Sequence, residues 1–113
     1  MPFYDPATLK SKEIAPGAWI QPVWGEKVMM VFITLEDGAE VPMHTHPPEQ
    51  MGMVLEGEFE LTIAGEARTV SKGDAYLVPS NVEHRAVASR GKALALDIFG
   101  PPREDFIALL GQG

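Results

Sequence analysis

The sequence predicts an all-β domain, a small sandwich or barrel, that ends in one short helix. Glycine and proline are spread along the chain, and they separate short apolar runs at intervals of about 8–12 residues. Several runs alternate apolar and polar residues, which is the pattern of a strand with one buried face. The length of 113 residues and the hydrophobic content of 45% suit one packed domain over residues 1–113.

Eight apolar runs are the predicted strands. They are Ala18–Val23, Val28–Leu35, Met51–Leu55, Phe59–Ile63, Ala67–Val70, Ala75–Val78, Ala86–Ala88 and Ala93–Phe99. Turns are predicted at Glu36–Gly38, Ala64–Glu66 and Ser71–Asp74. In the second of these turns, Gly65 is free to take a positive φ and close a hairpin.

The C-terminal tail is the one segment with a helical pattern. Pro102 suits a first helical turn, Glu104 and Asp105 suit the positive N-terminal end, and Gly111 suits the helix end.

Four methionines are predicted to fill the core, because a thioether is a poor ligand for transition metals such as nickel and zinc; they are Met29, Met30, Met51 and Met53. Tyr76 is expected in a strand with its hydroxyl at a rim.

Charge and composition exclude several classes of function. The formal net charge is −7 and the pI is about 4.8, which argues against nucleic acid and anionic membranes as partners. The chain has no cysteine, so disulfides, thiol catalysis and thiolate metal sites are excluded. The first residues lack a secretory signal pattern, and no apolar stretch reaches the roughly 20 residues that span a bilayer. We therefore expect a cytoplasmic protein.

Two of the three histidines lie one residue apart, at His44 and His46, just before an apolar run. Residues two apart on a strand share a face, and Gln50 has the same parity, although two prolines interrupt the strand. Together with the distant His84, these side chains predict a site for one divalent transition metal ion, such as nickel, zinc, manganese, iron or cobalt. Glu49, of opposite parity, is the alternative fourth ligand. The alternative without a metal site is a pair of surface histidines in a polar turn.

The spacing around these histidines resembles the two cupin motifs. The first reads G38-x5-H44-x-H46-x3-Q50-x6-G57, over residues 38–57, and the second reads G73-x5-P79-x-N81-x2-H84-x3-A88, over residues 73–88. The resemblance implies a cupin double-stranded β-helix, a jelly-roll barrel, with the metal inside its mouth. Three positions depart from the general pattern, with Gln for Glu, Asn for Gly and Ala for Asn: Gln50, Asn81 and Ala88. A barrel with an empty vestigial site is the alternative.

The last predicted strand and the tail hold a second group of candidates. On this strand Asp97 and Phe99 share a face, and a turn at residues 100–102 brings Arg103 toward the barrel mouth. Burial raises a carboxyl pKa and a nearby metal lowers it, and in either protonation state Asp97 is a candidate acid or base. Arg103 suits a carboxylate, which a guanidinium holds by two parallel hydrogen bonds. An Asp97–Arg103 ion pair that pins the tail to the barrel is the equally ranked alternative.

The segments "MHTHPPEQ", "GDAYLVPSNVEH" and "DIFGPPREDF" resemble the pectin-degradation cupins. Those proteins use Gln as the fourth ligand, which makes Gln50 a match, and their functional Asp, Phe and Arg fall on Asp97, Phe99 and Arg103. The resemblance implies an enzyme that opens and ketonises 4,5-unsaturated galacturonate to 5-keto-4-deoxyuronate. The implied metal ligands are His44, His46, Gln50 and His84.

Other functions and partners follow from the same residues. The alternatives are another metallo-cupin enzyme, a dioxygenase or a lyase acting on a small carboxylate, and a non-catalytic cupin that binds metal or sugar. The expected ligand is a small anionic sugar or carboxylate. By fold analogy we expect a homodimer, in which the segment before Trp24 adds an edge strand to a partner.

Overall fold

The computed structural model describes residues 3–111, and within them ten strands form two antiparallel sheets. The strands are β1 (Lys12–Ala15), β2 (Ala18–Trp24), β3 (Met29–Leu35), β4 (Glu40–His44), β5 (Glu49–Glu56), β6 (Glu58–Ile63), β7 (Glu66–Ser71), β8 (Ala75–Val78), β9 (His84–Val87) and β10 (Ala93–Gly100). A short 3-10 helix, Pro6–Thr8, precedes them and helix α1, Glu104–Gly111, follows them. One sheet has the order β1-β2-β3-β10-β5-β8 and the other β4-β9-β6-β7. The predicted all-β barrel with a C-terminal helix is confirmed.

All eight predicted strands are present, and their ends differ from the predicted ones by at most two residues. Two strands have no counterpart among the predicted runs. β1 has only four residues, and β4 contains a proline and is mostly half-buried or exposed, so neither stands out as an apolar run. β1 pairs with β2 as the edge of its own sheet. The N-terminal segment therefore adds an edge strand to the sheet of this chain, and not to the sheet of a partner as predicted from the sequence.

The interior of the barrel is formed by alternate residues of each strand. In β10 the buried positions are Ala93, Ala95, Asp97 and Phe99, which is the predicted parity. The main apolar cluster joins both sheets, with Val54 and Ala95 from one sheet and Phe59 and Leu61 from the other. A second cluster holds Ile20, Met29, Val31, Phe99 and Phe106 and thereby anchors helix α1 to the larger sheet.

The outer sheet face is the side of the six-stranded sheet that points away from this core. Its apolar members are Trp19, Val23, Met30, Phe32, Met51, Met53, Leu77, Leu94, Leu96 and Ile98. Met51 and Met53 are 59% and 44% exposed, and Met30 is half-buried on the same face, so the prediction that these three methionines fill the core is wrong. It holds for Met29, which is buried. The positions of Met51 and Met53 are opposite in parity to the buried residues of β5. Apolar residues thus occupy both faces of this sheet.

Candidate functional site

The three histidines lie together at one end of the barrel. His44 ends β4 and is the register partner of His84, the first residue of β9. His46 lies in the loop after β4, and the ring centroids of the three imidazoles are between 4.1 and 5.6 Å apart. One ring nitrogen from each residue lies within 4.8 Å of the others. The structure therefore brings the predicted histidines into one group.

A short backbone contact joins the loops that carry the two sequence motifs. Asn81 has a φ of 61°, the left-handed conformation that asparagine tolerates better than most residues. Its backbone N–H donates to the carbonyl oxygen of His46 over 2.9 Å. In the same loop, the Ser80 hydroxyl donates to the carbonyl oxygen of Pro47. These bonds hold the His46 loop against the segment that leads into His84.

Backbone carbonyls orient all three imidazoles. The Nδ1 atoms of His44, His46 and His84 lie 2.8, 2.8 and 2.9 Å from the carbonyl oxygens of Pro42, Pro48 and Val82. A carbonyl oxygen can only accept a hydrogen bond, so each Nδ1 carries the hydrogen and each Nε2 keeps its lone pair. This is the usual way in which a protein fixes the tautomer of a metal-binding histidine.

Gln50 completes a cluster of acceptor atoms. Its side chain is buried, and its Oε1 lies 3.0 Å from Nε2 of His46. The amide of Gln50 also lowers the pKa of the Asp97 carboxyl. Glu49 is exposed on the other side of β5. Two acceptors that face each other need a cation between them, so this donor set fits a divalent metal ion.

Burial keeps the imidazoles neutral. It lowers the pKa of His84 to about 4, and it also lowers the pKa values of His44 and His46. The positive charge of Arg103 acts on all three rings in the same direction. A neutral imidazole is the form that binds a metal ion, so the group is in its ligand state at neutral pH without further deprotonation.

His44 and His84 open onto a cavity of about 470 Å³. Its polar wall includes His44, Gln50, His84, Asp97 and Arg103, and its apolar wall includes Ile33, Leu35, Val41, Leu61 and Ala86. Asp97 is 3% exposed, and burial raises the pKa of its carboxyl to about 6, although hydrogen bonds from Tyr76 and Gln50 oppose the rise. A buried carboxyl beside a cluster of ligand atoms can exchange protons with a molecule held in the cavity.

Arg103 and Phe99 lie at the same end of the cavity. Nε and Nη2 of Arg103 donate to the two carboxylate oxygens of Asp105 over 3.1 and 2.7 Å, and its guanidinium lies 3.7 Å from the ring centroid of Phe106. The ion pair of Arg103 is thus with Asp105, and the Asp97–Arg103 pair considered from the sequence is not formed. The Phe99 ring is 1% exposed and packs edge-on against His46 and Phe106.

Tyr76 and Gly52 are two residues of this site that the sequence analysis did not assign to it. The Tyr76 hydroxyl donates to Oδ1 of Asp97 over 2.6 Å, so it points into the barrel and not to a rim as expected. A Cβ added at Gly52 would lie 2.1 Å from that same Oδ1 and 2.4 Å from the Tyr76 ring. No sequence pattern indicates this contact, because it depends on the order of strands β8, β5 and β10.

Residues 31–99, more than half of the chain, match the cupin domain. The chain belongs to the cupin family. This cupin is 35% identical over 85 residues to the pectin degradation protein KdgF of Dickeya dadantii, a match that covers 74% of this chain and 77% of that protein. The solved structure of KdgF from Halomonas sp. superposes with a TM-score of 0.86 at 30% identity, and the match covers 94% of this cupin and 98% of that chain.

A second relative carries the name of an enzyme. The H2HPP isomerase of Bacillus subtilis is 28% identical over 96 residues, which are 83% of this cupin and 41% of that longer protein. This cupin therefore spans about two fifths of that relative.

In residues 3–111, helix α1 is the longest helix, and none is long and apolar enough to cross a membrane.

Proposed function

We propose that this cupin is a metal-dependent enzyme that opens and ketonises 4,5-unsaturated galacturonate to 5-keto-4-deoxyuronate. The observation that carries the proposal is the convergence of three Nε2 lone pairs and the Gln50 carbonyl oxygen beside the buried carboxyl of Asp97. Similarity to two proteins named KdgF, one of them described as a pectin degradation protein, supports the uronate as substrate. We expect the enzyme to act in the cytoplasm.

In this proposal His44, His46, Gln50 and His84 hold one divalent ion, which would bind and polarise substrate oxygens as a Lewis acid. With no anionic ligand, the ion keeps a charge of roughly +2 in a largely buried site, and this favours an anionic substrate. The Arg103 guanidinium adds positive charge at the same end of the cavity. Nη1 takes no part in its pair with Asp105, and we assign to it the contact with the substrate carboxylate.

Asp97 is the proposed proton carrier. It accepts the proton of the anomeric hydroxyl while the bond between C1 and the ring oxygen breaks, which leaves an aldehyde at C1 and an enolate at C5. Asp97 then returns this proton to C4, and the enolate becomes the C5 ketone, so substrate and product are isomers and no oxidant is consumed. Phe99, packed against His46, forms the apolar floor on which we place the sugar ring.

The direct test follows the ring opening of unsaturated galacturonate by NMR with protein loaded with nickel, zinc, manganese, iron or cobalt in turn. The proposal predicts acceleration over buffer with at least one metal and none with the chelated protein. A rate equal to that of buffer with every metal would remove this function and leave the cupin fold and the donor cluster.

The apolar wall of the cavity favours a second candidate substrate class. Ile33, Val41, Leu61 and Ala86 offer no hydrogen bonds to sugar hydroxyls but suit the hydrocarbon body of a small carboxylate. Similarity to a protein named H2HPP isomerase supports proton-transfer chemistry for this class as well. A panel of small carboxylates with apolar bodies, assayed for turnover with and without dioxygen, distinguishes this isomerase or lyase from a dioxygenase. Tight binding without turnover would instead indicate a binding protein.

A further inference from the structure

We propose that Tyr76 is a positioning residue that fixes the carboxyl of Asp97. Gly52, which has no side chain, leaves the space through which the Tyr76 ring reaches that carboxyl. The inference rests on the proposed function, because it assigns Asp97 the proton transfer described above. Its structural basis is a row of three register partners on adjacent strands, Tyr76 on β8, Gly52 on β5 and Asp97 on β10.

The geometry needs a residue without a side chain in the middle of this row. Adjacent strands are about 4.8 Å apart, so β8 and β10 are separated by roughly 10 Å with β5 between them. The Tyr76 ring crosses this distance over the backbone of Gly52, and its hydroxyl lies 2.6 Å from Oδ1 of Asp97. A methyl group at residue 52 would overlap with both partners, since its Cβ would lie 2.1 Å from Oδ1 and 2.4 Å from the Tyr76 ring.

Neighbouring side chains hold the tyrosine in this orientation. Phe59, from the opposite sheet, meets the Tyr76 ring edge-on with 6.3 Å between the centroids. Burial and the negative charge of Asp97 raise the pKa of Tyr76, so the hydroxyl keeps its hydrogen and acts as a donor. A phenol that stays protonated can donate to Oδ1 whether or not Asp97 itself carries a proton.

The bond therefore assigns separate tasks to the two oxygens of Asp97. Oδ1 is occupied by Tyr76 throughout, and we assign the substrate proton to Oδ2, which keeps a lone pair for it even where the Gln50 amide donates to the carboxyl. The carboxyl then need not rotate when its protonation changes during turnover. A general base in a fixed orientation keeps the reacting atoms close to the geometry of proton transfer, and loss of that orientation reduces the rate of the chemical step.

The test compares Tyr76→Phe and Gly52→Ala with two matched controls. Tyr4→Phe removes an exposed hydroxyl, and Gly25→Ala adds a methyl group where nothing lies within 4 Å. We expect Tyr76→Phe to lower kcat on unsaturated galacturonate roughly ten- to hundred-fold, the effect of losing a hydrogen bond to a charged group. KM should stay within about two-fold, because in this proposal the hydroxyl acts on Asp97 and not on the substrate. Both controls should retain the wild-type kcat.

Two further measurements separate positioning from a structural role. Metal content should be unchanged in Tyr76→Phe, and its crystal structure should show Asp97 in more than one conformer. An unchanged kcat, or a loss of kcat together with the metal, would overturn the inference. If the wild-type protein does not accelerate the reaction, the proposed function fails separately. The positioning role of Tyr76 is then tested by the crystal structure of Tyr76→Phe alone. If Asp97 keeps its single wild-type conformer in that structure, the inference is refuted.

Discussion

Nε2 of His46 and Oε1 of Gln50 lie 3.0 Å apart, and in the neutral imidazole that donates from Nδ1 neither atom has a hydrogen to donate. The Nδ1 atom of His46 already carries the ring hydrogen, which it donates to the carbonyl oxygen of Pro48. This contact between two acceptors is unfavourable until a cation separates them, so metal binding and folding stability are expected to be coupled.

The first prediction concerns metal binding. A divalent ion present at a hundred-fold excess over its Kd should stabilise the protein by about 2.7 kcal/mol, or roughly 10 °C in Tm, in a thermal unfolding experiment. His84→Ala should abolish most of this shift, because it removes one of the three imidazoles. Gln50→Ala should reduce it and Glu49→Ala should leave it unchanged, because Glu49 is exposed on the other side of β5. Equal metal-induced Tm shifts for Gln50→Ala and Glu49→Ala would exclude Gln50 as a ligand.

The second prediction concerns Asp97. Replacement of a residue that transfers a proton lowers turnover by about a hundred-fold or more, so Asp97→Asn should reduce kcat to that extent. Metal content, measured by mass spectrometry, should remain that of the wild type. Asp37→Asn is the control, since Asp37 is an exposed aspartate and the amide retains the oxygen that accepts from the Gly91 N–H. Full activity of Asp97→Asn would rule out the proton-transfer role.

The third prediction concerns the pH dependence of stability through Asp105. Partial burial alone would raise the pKa of this carboxyl, but hydrogen bonds and charge from Arg103 lower it below its ordinary value of 3.8. A depressed folded-state pKa stabilises the protein above the unfolded-state pKa, and this contribution is lost as the pH falls through the folded-state value. Asp105→Asn should therefore reduce Tm at pH 7 and have almost no effect near pH 2.

The size of this effect is limited by solvent. The Asp105 side chain is 62% exposed, so we expect less than about 1 kcal/mol at pH 7. Glu66 is a matched control, because its ion pair with Arg68 is at least as exposed, and Glu66→Gln should change Tm by less than Asp105→Asn. A Tm difference for Asp105→Asn that is constant between pH 2 and 7 would contradict the electrostatic explanation.

The fourth prediction is a homodimer formed through the outer sheet face. This face covers five strands, which span roughly 19 Å at about 4.8 Å between neighbours, and exposed apolar side chains such as Met51, Leu77 and Ile98 lie on it. Among the outward positions of these strands within residues 3–111, the charged ones are Glu49 and Glu56, at the two ends of β5. A face with so little charge suits a second copy of itself better than a charged partner.

Sedimentation velocity at micromolar concentrations tests the dimer. Ile98 and Met51 are register partners near the middle of the face, and Ile98→Asp should shift the protein to monomers because it buries an unpaired charge in the interface. Met43→Asp, an equally exposed apolar position on the four-stranded sheet, should leave the assembly unchanged. A wild-type protein that sediments as a monomer would refute this prediction.

Much of this fold could be predicted because its strands are short apolar runs between glycine and proline. The alternation of residues along β10 predicted that Asp97 and Phe99 share a face, and the spacing of the two motifs predicted that the three histidines meet at one site. The same reasoning placed Met51 and Met53 in the core, because apolarity does not distinguish the two faces of a sheet that is apolar on both. Alternation along one strand also cannot identify neighbours on the next. The Tyr76–Asp97 contact and the Arg103–Asp105 pair therefore became visible only with the strand order and the helix in place.

The three imidazoles are oriented by main-chain oxygens of Pro42, Pro48 and Val82, and a substitution does not delete a main-chain oxygen. The ring tautomers are therefore independent of which side chains line the walls of the cavity. We therefore expect that exchange of wall residues such as Val41, Leu61 and Ala86 would leave the three Nε2 atoms in place. A barrel of this kind is a suitable starting point for engineering new substrate preferences, because the orientation of its histidines does not depend on the walls.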